Sequence, residues 1–454
     1  MWMWAKPIPK FGAKSAWAVA LFATWALYLT IVVTTDLWSY VGVPHHGYFF
    51  RDFAGVLSAA DCTNLGYDVY SENLCQVFEY PGIWLWLGKT GLGRPDALWL
   101  GAVIDIAFAM LVVRLINPKD LWQFIIGTLV VLSPHVTFAM ERCNVDLIIF
   151  CLLSCAALLV SKRKGFPYYL GIITSFFATL LKIYPVITLL MAALMADSKR
   201  RLMTATAIAS LLITSWLLFS AVLRYYFAAW AEEPYVSGGM LLFLYLGIQR
   251  HMFFLSVGLA LIALAVAIRL AMELDVKATV IDAHRSLVSH YYFGLSVTSF
   301  AFLATINYDY RWIFNIFTLP WLFLLKRNTG SNRGIRRMVG VCVALMIAWM
   351  WSNALIRDVL HVLSKLLLPH GLSHQRLLYG VANLLYVAKQ LSAWSFLTVL
   401  AAIGIKTFMI EGTYVPAMFN RFVGRAFGQM ASGFKSSDAL SNKDVGNNGG
   451  ATSK

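Results

Sequence analysis

Apolar runs recur along almost the whole 454-residue chain, and each is about as long as a helix that crosses a bilayer. A hydrocarbon core about 30 Å thick takes about 20 helical residues. Only 13% of the residues are charged, against about a quarter in soluble proteins, which leaves too few charges for a water-facing surface. These features exclude a soluble enzyme, a disordered chain and a fibrous repeat, and they predict an all-α membrane protein. The predicted spans are 16–34, 97–115, 121–138, 146–160, 202–221, 252–270, 290–306, 312–325, 338–354 and 391–410.

The stretch 168–196 is also apolar, but it carries Lys182 and Pro185 near its middle. A single helix there would be about 44 Å long, with a costly charge and a broken hydrogen-bond ladder at membrane depth. Two short helices that turn at 182–185 avoid both problems. Lys and Arg concentrate on the cytoplasmic side of membrane proteins. The hairpin places 25 of the 37 Lys and Arg residues on the cytoplasmic side, whereas a single span places only 15 of them on that side. We therefore predict a polytopic bundle of about 12 membrane segments, with both termini cytoplasmic.

This topology divides the chain into a membrane domain, 1–410, and a largely disordered cytoplasmic tail, 411–454, that is rich in Ser, Gly and Asn. The net charge of +15 then marks the cytoplasmic face of a membrane protein rather than a nucleic-acid partner. The predicted outer face has a long first loop, about 36–94, and two mid-length loops, 223–251 and 356–389. An amphipathic helix is expected at 53–60. Cys62 and Cys75 both lie in the first loop, where either a disulfide or two free thiols are compatible with the sequence.

Stability of the fold does not require ionisable side chains near the outer interface, so those present are candidates for function. Asp52 is the first of them, because small and apolar residues follow it in the first loop. A carboxylate at the mouth of a membrane cavity is well placed as a general base. The alternatives are an ion pair with its neighbour Arg51 and an ordinary solvated loop residue.

The run 141–146, Glu-Arg-Cys-Asn-Val-Asp, stands at the start of a predicted span. Asn144 or Asp146 could cap that helix with a side-chain oxygen. Arg142, in contrast, has the planar guanidinium that binds phosphate oxygens in pairs. Both interpretations remain open from the spacing.

Two further cations lie in predicted outer turns. Lys182 stands beside Tyr184 in the hairpin turn, where a buried lysine is poorly explained by stability. Arg311 could hold a phosphate or pair with Asp309. Three cations and one carboxylate on the same face suit transfer of a group from a phosphate leaving group to a hydroxyl. The cations stabilise charge on the phosphate, and the carboxylate takes the proton of the nucleophile.

Other catalytic motifs are absent from the sequence. It contains no Walker A loop, GxSxG elbow, HExxH or CxxC pair, so ATPase, serine hydrolase and zinc protease functions have no support. His370 and His374 could share a helical face, but they lack acidic neighbours. We therefore predict no metal site and no cofactor.

Four stretches carry a resemblance to a known family, and a weaker match follows at Asp309-Tyr310-Arg311-Trp312. The chain resembles the GT-C superfamily of integral-membrane glycosyltransferases and, more closely, the bacterial polyprenyl-phosphate-mannose-dependent α-mannosyltransferases. The resemblance covers roughly residues 16–200. The four stretches are Asp52-Phe53 followed by Ala59-Ala60, Gly66 and Tyr70; Phe78-Glu79-Tyr80-Pro81; Asn144-Val145-Asp146; and Leu181-Lys182-Ile183-Tyr184-Pro185.

The resemblance implies an inverting glycosyltransferase. Such an enzyme moves a sugar, mannose or another hexose, from a polyprenyl-phosphate donor to a glycolipid or lipid-linked glycan acceptor, on the outer face of the plasma membrane. Asp52 takes the role of general base, and Lys182 contacts the donor phosphate. From their charge and position, Arg142 or Arg311 is expected to hold that phosphate together with Lys182. No metal is expected for a monophosphate donor. The substrate-binding residues are expected to be Glu79, Tyr80, Asn144, Tyr184 and Asp309.

Two other functions stay open. A lipid-glycan flippase or secondary transporter would have repeated halves with broken helices in corresponding positions, and the sequence shows one such break. An O-antigen polymerase or ligase would place its working arginines in a late outer loop, where Arg357 and Arg376 stand.

Overall fold

The computed structural model describes residues 16–45, 47–70, 78, 80–219, 237–238, 251–304, 307–328, 332–367 and 372–411. Predictions for Glu79, Cys75, His370 and the tail 412–454, and almost all of those for the loop 223–251, concern residues outside these ranges. The α-helices are α1 (Ala16–Thr35), α2 (Arg51–Asn64), α3 (Ala97–Ile116), α4 (Leu121–Val131), α5 (Pro134–Glu141), α6 (Asp146–Val160), α7 (Gly165–Leu181), α8 (Val186–Leu194), α9 (Lys199–Phe219), α10 (His251–Glu273), α11 (Ala278–Ala283), α12 (Arg285–Ala304), α13 (Leu319–Asn328), α14 (Arg333–Leu367) and α15 (Leu372–Ile410).

Short 3-10 helices and one small strand pairing complete the described regular structure. The 3-10 helices are Gly82–Thr90, called the Trp84 helix below, Arg94–Asp96, and Asp309–Thr318, called the Arg311 helix. The described strands are β1 (Ser237–Gly238) and β2 (Asn307–Tyr308), which pair antiparallel. The prediction of an all-helical architecture is therefore confirmed.

Within the described ranges, four helical stretches are long and apolar enough to cross a membrane: Ala16–Thr35, Arg94–Ile116, Arg333–Lys365 and Gly380–Ile410. A fifth is formed by α4 and α5 together, which bend by 49° at a short break. Pro134 is the first residue of α5. Because proline has no N–H to donate, a helix begins there rather than continuing. The prediction that several apolar helices suit a bilayer is confirmed, while the total of 12 segments stays a prediction.

The apolar stretch 168–196 is broken as predicted. Helix α7 ends at Leu181, Lys182 has extended backbone angles (φ −163°, ψ 143°), and α8 begins after Pro185. The two helices fold back on each other, since the Tyr168 hydroxyl near the start of α7 donates to the Ala192 carbonyl near the end of α8 at 2.8 Å. The indole N–H of Trp84 donates to the Leu181 carbonyl at 3.0 Å and ties the first-loop region to this turn.

Two sequence predictions about the later helices were wrong. The predicted loop 356–389 is largely helical, because α14 and α15 pack side by side along an extended length. Their 35 and 39 residues correspond to about 52 and 58 Å of helix. The predicted span 312–325 is also not one helix: it starts in the Arg311 helix, and the α-helix begins only at Leu319 beside Pro320.

Large apolar side chains are both buried and exposed in this structure. The core contains fully buried aromatic residues from α1, α3, α6 and the later helices. Helices α1 and α3 in addition expose apolar residues, and contiguous apolar surface of this kind suits a lipid bilayer. These exposed residues include Val19, Leu27, Ile31, Leu98, Val103, Ile106 and Met110.

Helix α2 lies over the ends of α5 and α6, and this end of the bundle is called the α2 end below. The predicted helix at 53–60 lies within α2. Phe53, Val56 and Leu57 of α2 share a buried apolar cluster with Cys143 and Val145, which connect α5 to α6. Two backbone bonds fix the contact, from the Phe50 N–H to the Glu141 carbonyl at 2.8 Å and from the Asp52 N–H to the Arg142 carbonyl at 3.2 Å. The start of α2 is therefore held directly on the loop that follows α5.

Candidate functional site

Asp52 lies in the first turn of α2, and its side chain is 13% exposed. One carboxylate oxygen, Oδ1, accepts a hydrogen bond from Arg142 Nη1 at 2.9 Å. The other, Oδ2, accepts from Asn144 Nδ2. Both oxygens are therefore oriented by charged or polar donors from the α5–α6 connection. The predicted alternative, an ion pair with Arg51, is not what the structure shows, since the guanidinium of Arg51 lies over the Tyr48 ring at 5.9 Å.

The α5–α6 connection is shaped to present these donors. Cys143 adopts a left-handed conformation (φ 41°), which turns the chain sharply between Arg142 and Asn144. Asn144 also accepts a hydrogen bond from the Asp146 N–H at 3.0 Å through its Oδ1. The side chain thus satisfies a free N–H at the start of α6 and holds Asp52 with its amide group. The capping role that the sequence left open for Asn144 is therefore observed, while phosphate binding by Arg142 stays a prediction.

Asp146 joins the two remaining cations at the same end of the bundle. Its side chain is completely buried, and Oδ1 accepts a hydrogen bond from Lys182 Nζ at 2.7 Å. Its Oδ2 lies 3.9 Å from Arg311 Nε. Lys182 and Arg311 are themselves 4% and 8% exposed. The hairpin turn, the start of α6 and the Arg311 helix therefore meet at one buried carboxylate.

Three tyrosines surround Lys182. Its Nζ lies 5.5 Å from the ring centre of Tyr80, 5.7 Å from that of Tyr184 and 5.5 Å from that of Tyr310. Distances below about 6 Å allow cation–π attraction. The Arg311 guanidinium lies 5.4 Å from the Tyr184 ring as well. Burial lowers the pKa of Lys182, and the Asp146 carboxylate opposes that change by favouring the protonated amine.

Charges of both signs meet in this site. Asp52 and Asp146 contact the three cations Arg142, Lys182 and Arg311. A nearby third carboxylate, Glu141, pairs with His45 at 2.8 Å. Lys182 and Arg311 lie together beside Asp146, and cations placed in this way can bind the oxygens of a phosphate group.

The structure brings together most of the residues that the sequence predicted. Asp52, Arg142, Asn144, Lys182 and Arg311 form one connected group, and Tyr80 and Tyr184 contact it. Asp309 belongs to the Arg311 helix, but its side chain lies outside the described part, as does Glu79. The proposed pairing of Arg311 with Asp309 has no test here.

Three contributors were missed from the sequence. Asp146 was assigned only a possible capping role, yet it is the counter-ion of two cations. Tyr310 forms part of the tyrosine group around Lys182. His45 fixes Glu141, the residue before Arg142. The role of Asp146 could have been predicted from the sequence, because a carboxylate at the membrane end of a predicted span needs a partner. The contact of His45 could not, since 96 residues separate it from Glu141.

Among the described residues, no group of three or more His, Cys, Asp or Glu side chains is arranged to hold a metal ion. Cys62 is disulfide-bonded, and the cysteines at 143, 151, 155 and 342 are free thiols. The chemistry available in the described site is therefore that of carboxylate, amine, guanidinium and phenol groups.

The fold and the site together define a class: a helical protein with several apolar helices that suit a membrane, and a buried cluster of ion pairs at one end of the bundle. Comparison with known proteins gives no closer assignment, since no family model, curated protein or solved structure matches the chain. The resemblance to the GT-C glycosyltransferases thus remains one of short motifs.

Proposed function

We propose that the protein is an inverting glycosyltransferase that uses a polyprenyl-phosphate sugar as donor and a glycolipid or lipid-linked glycan as acceptor. The observation that carries the proposal is the juxtaposition of two units at the α2 end. One is a carboxylate oriented by Arg142 and Asn144. The other is a buried pair of cations, Lys182 and Arg311, that meet at the carboxylate of Asp146.

Asp52 is the general base in this mechanism. The acceptor hydroxyl gives its proton to Asp52 while its oxygen attacks the anomeric carbon from the side opposite the phosphate. The bond between the anomeric carbon and the phosphate oxygen breaks, and its electron pair stays on the phosphate. Arg142 and Asn144 hold the carboxylate in one orientation, and this lowers the part of the activation free energy that comes from positioning the base.

Lys182 and Arg311 act on the leaving group. A lipid phosphate carries more negative charge once the sugar has departed, and preorganised cations stabilise that developing charge. Lys182 and Arg311, which lie together beside Asp146, can meet this requirement. The tyrosines around Lys182 restrict the position of its amine. Tyr80 is one of these tyrosines, and it is a candidate for contact with the sugar.

We place this site on the outer face of the plasma membrane, with the N terminus in the cytoplasm. Basic clusters support that orientation, since Lys162 and Lys164 follow the far end of α6, and Lys199 and Arg200 begin α9. The far end of α6 lies about 22 Å along the helix from Asp146. Labelling of single cysteines introduced at positions 61 and 200 in intact cells tests the orientation, because only the first should react with an impermeant reagent.

The function is tested by transfer from radiolabelled polyprenyl-phosphate mannose to a glycolipid acceptor in proteoliposomes. Asp52→Asn keeps the shape of the side chain but removes the base, and we expect the rate to fall about 10²–10⁴-fold. Asp61→Asn is the matched control, because Asp61 lies on the same helix and accepts only the Arg94 N–H at 2.9 Å. Retention of most of the transfer by Asp52→Asn would show that Asp52 is not the base. Absence of transfer by the wild-type protein with mannose and other hexose donors would refute the enzyme class.

A lipid-glycan flippase or transporter is the second candidate. The structure adds a second helix break to the one at Lys182, the 49° bend between α4 and α5, and broken helices are common at transporter binding sites. The same proteoliposomes distinguish the two functions. Movement of a fluorescent lipid-linked sugar between leaflets without any glycosidic product would favour the transporter.

A further inference from the structure

A second group of buried polar side chains lies where α12, α14, α15 and the Arg311 helix meet. The rings of Trp312 and Trp349 are 4.8 Å apart at their centres. Lys389 Nζ lies 5.2 Å from the ring centre of Trp349. Phe302 contacts Trp312 at 6.1 Å and Trp394 at 5.0 Å. Four structural elements therefore contribute to one aromatic cluster, called the tryptophan cluster below.

Several polar atoms in this cluster have no hydrogen-bond partner among the described residues. Gln390 is 3% exposed, and both its Nε2 and its Oε1 lack a partner. The indole N–H groups of Trp312, Trp349 and Trp394 lack one as well, although these side chains are 0%, 0% and 8% exposed. Buried polar atoms are paired in the great majority of cases. Gln390 lies one helical turn before Trp394 on α15, which puts the two side chains on the same face of that helix. The five unpaired atoms of these four residues need an explanation beyond packing.

We infer that the tryptophan cluster binds the sugar headgroup of a lipid-linked substrate. Each hydroxyl of a sugar ring both donates and accepts hydrogen bonds, so neighbouring hydroxyls match the amide of Gln390. Hydroxyl oxygens also accept from indole N–H groups, and the C–H faces of the ring pack on aromatic planes. A phosphate group fits less well, because it offers no donor for Gln390 Oε1 and no apolar face.

The position of the cluster makes it the acceptor subsite, and this assignment rests on the proposed function. Trp312 follows Arg311 directly in the same 3-10 helix. Arg311 reaches Asp146 on one side, while Trp312 contacts Trp349 on the other. A sugar bound among the tryptophans would therefore lie next to the donor phosphate site.

Photo-crosslinking tests the inference with the full chain in phosphatidylcholine nanodiscs. The probe is octyl mannoside with a diazirine on the sugar. We expect it to label peptides from α14 and α15 that contain Trp349 and Gln390, in competition with unmodified octyl mannoside. Gln390→Leu and Trp349→Phe should each reduce this labelling about tenfold, as expected for the loss of hydrogen bonds to a bound sugar. Trp351→Phe is the matched control, because the Trp351 indole already donates to the Leu129 carbonyl at 2.8 Å.

Thermal unfolding gives a second readout that does not depend on the probe. Gln390→Leu replaces an unpaired amide by an apolar group, so we expect it to unfold at a temperature equal to or above that of the wild type. Octyl mannoside should stabilise the wild type and not the variant. A marked loss of stability in Gln390→Leu would show that the amide is satisfied by buried water, which would overturn the inference.

Other outcomes separate this inference from the proposed function. Labelling that octanol or octyl phosphate displaces as well as octyl mannoside would overturn the sugar site, as would equal labelling of Gln390→Leu and the wild type. If sugar-specific labelling persists in Asp52→Asn, or in a wild-type protein that shows no transfer, the binding site is supported. In the latter case only the proposed reaction fails.

Discussion

The ion-pair group at Asp146 makes a quantitative prediction about stability. The perturbation is Asp146→Asn, which keeps the size of the side chain and leaves the Asp146 N–H free to donate to Asn144 as before. It removes the negative charge shared by Lys182 and Arg311, which are 4% and 8% exposed. The variant therefore leaves the buried amine of Lys182 without the carboxylate that pairs with it.

The magnitude follows from the burial of the three groups. Loss of one partner from a buried ion pair costs about 3–5 kcal/mol. The three tyrosine rings around Lys182 remain in the variant, and each cation–π contact is worth about 0.5–2 kcal/mol. Because these contacts continue to stabilise the amine, the lower end of the range applies. We expect Asp146→Asn to reduce the free energy of unfolding by about 3 kcal/mol.

Reversible unfolding by SDS in mixed micelles measures this effect. The double variant Asp146→Asn/Lys182→Met also removes the amine that this carboxylate binds, and it should recover at least about 1 kcal/mol of the loss through the coupling of neighbouring sites. Asp282→Asn is the control. It breaks an exposed pair with Arg285, whose side chains are 53% and 46% exposed, and should cost less than about 1 kcal/mol.

Two results would refute the reasoning about this buried group. One is a change of less than about 0.5 kcal/mol for Asp146→Asn, the range of ordinary surface substitutions. The other is a double variant that is no more stable than the single one. Either result would mean that water or other groups solvate Lys182 at this position.

Three further predictions concern other contacts. Arg142→Ala removes one of the two donors that orient the Asp52 carboxylate, and it should lower the transfer rate about a hundredfold. Arg142→Lys should restore part of that rate. Equal rates for the wild type and both variants would contradict the positioning role of Arg142. Arg163→Ala leaves the completely buried carboxylate of Glu411 unpaired and should cost about 3–5 kcal/mol in SDS unfolding, with the double alanine variant more stable than the single one. Cys62→Ala removes a disulfide and should lower the unfolding temperature; a reductant should do the same to the wild type and nothing to the variant.

The pair of Arg163 and Glu411 lies at the predicted start of the tail. The sequence predicts a disordered tail from about residue 411, because the composition turns polar there. Glu411 itself is buried, directly after α15, against the loop that joins α6 to α7. Composition could not show this contact, since the two residues are 248 positions apart.

The break at Lys182 was predictable because its cause is local. A proline three residues after a buried lysine disfavours a continuous helix in any environment, and the structure turns at that point. The continuation of α14 and α15 beyond the predicted spans was not predictable in the same way. Residues 356–389 are polar enough to read as a loop, and only the side-by-side packing of the two helices stabilises them as helix.

The sequence by itself determined the class of structure, the break at Lys182 and most of the residue types of the candidate site. These follow from hydrophobic length, charge density and backbone restrictions, which act within a few residues of one another. Only the tertiary structure decided which carboxylate each cation contacts. Arg142 reaches Asp52 across 90 positions, and Lys182 reaches Asp146 across 36. Such pairings depend on how helices are placed in space, and in a buried site that placement decides whether a charge holds a base, binds a phosphate or stabilises the fold.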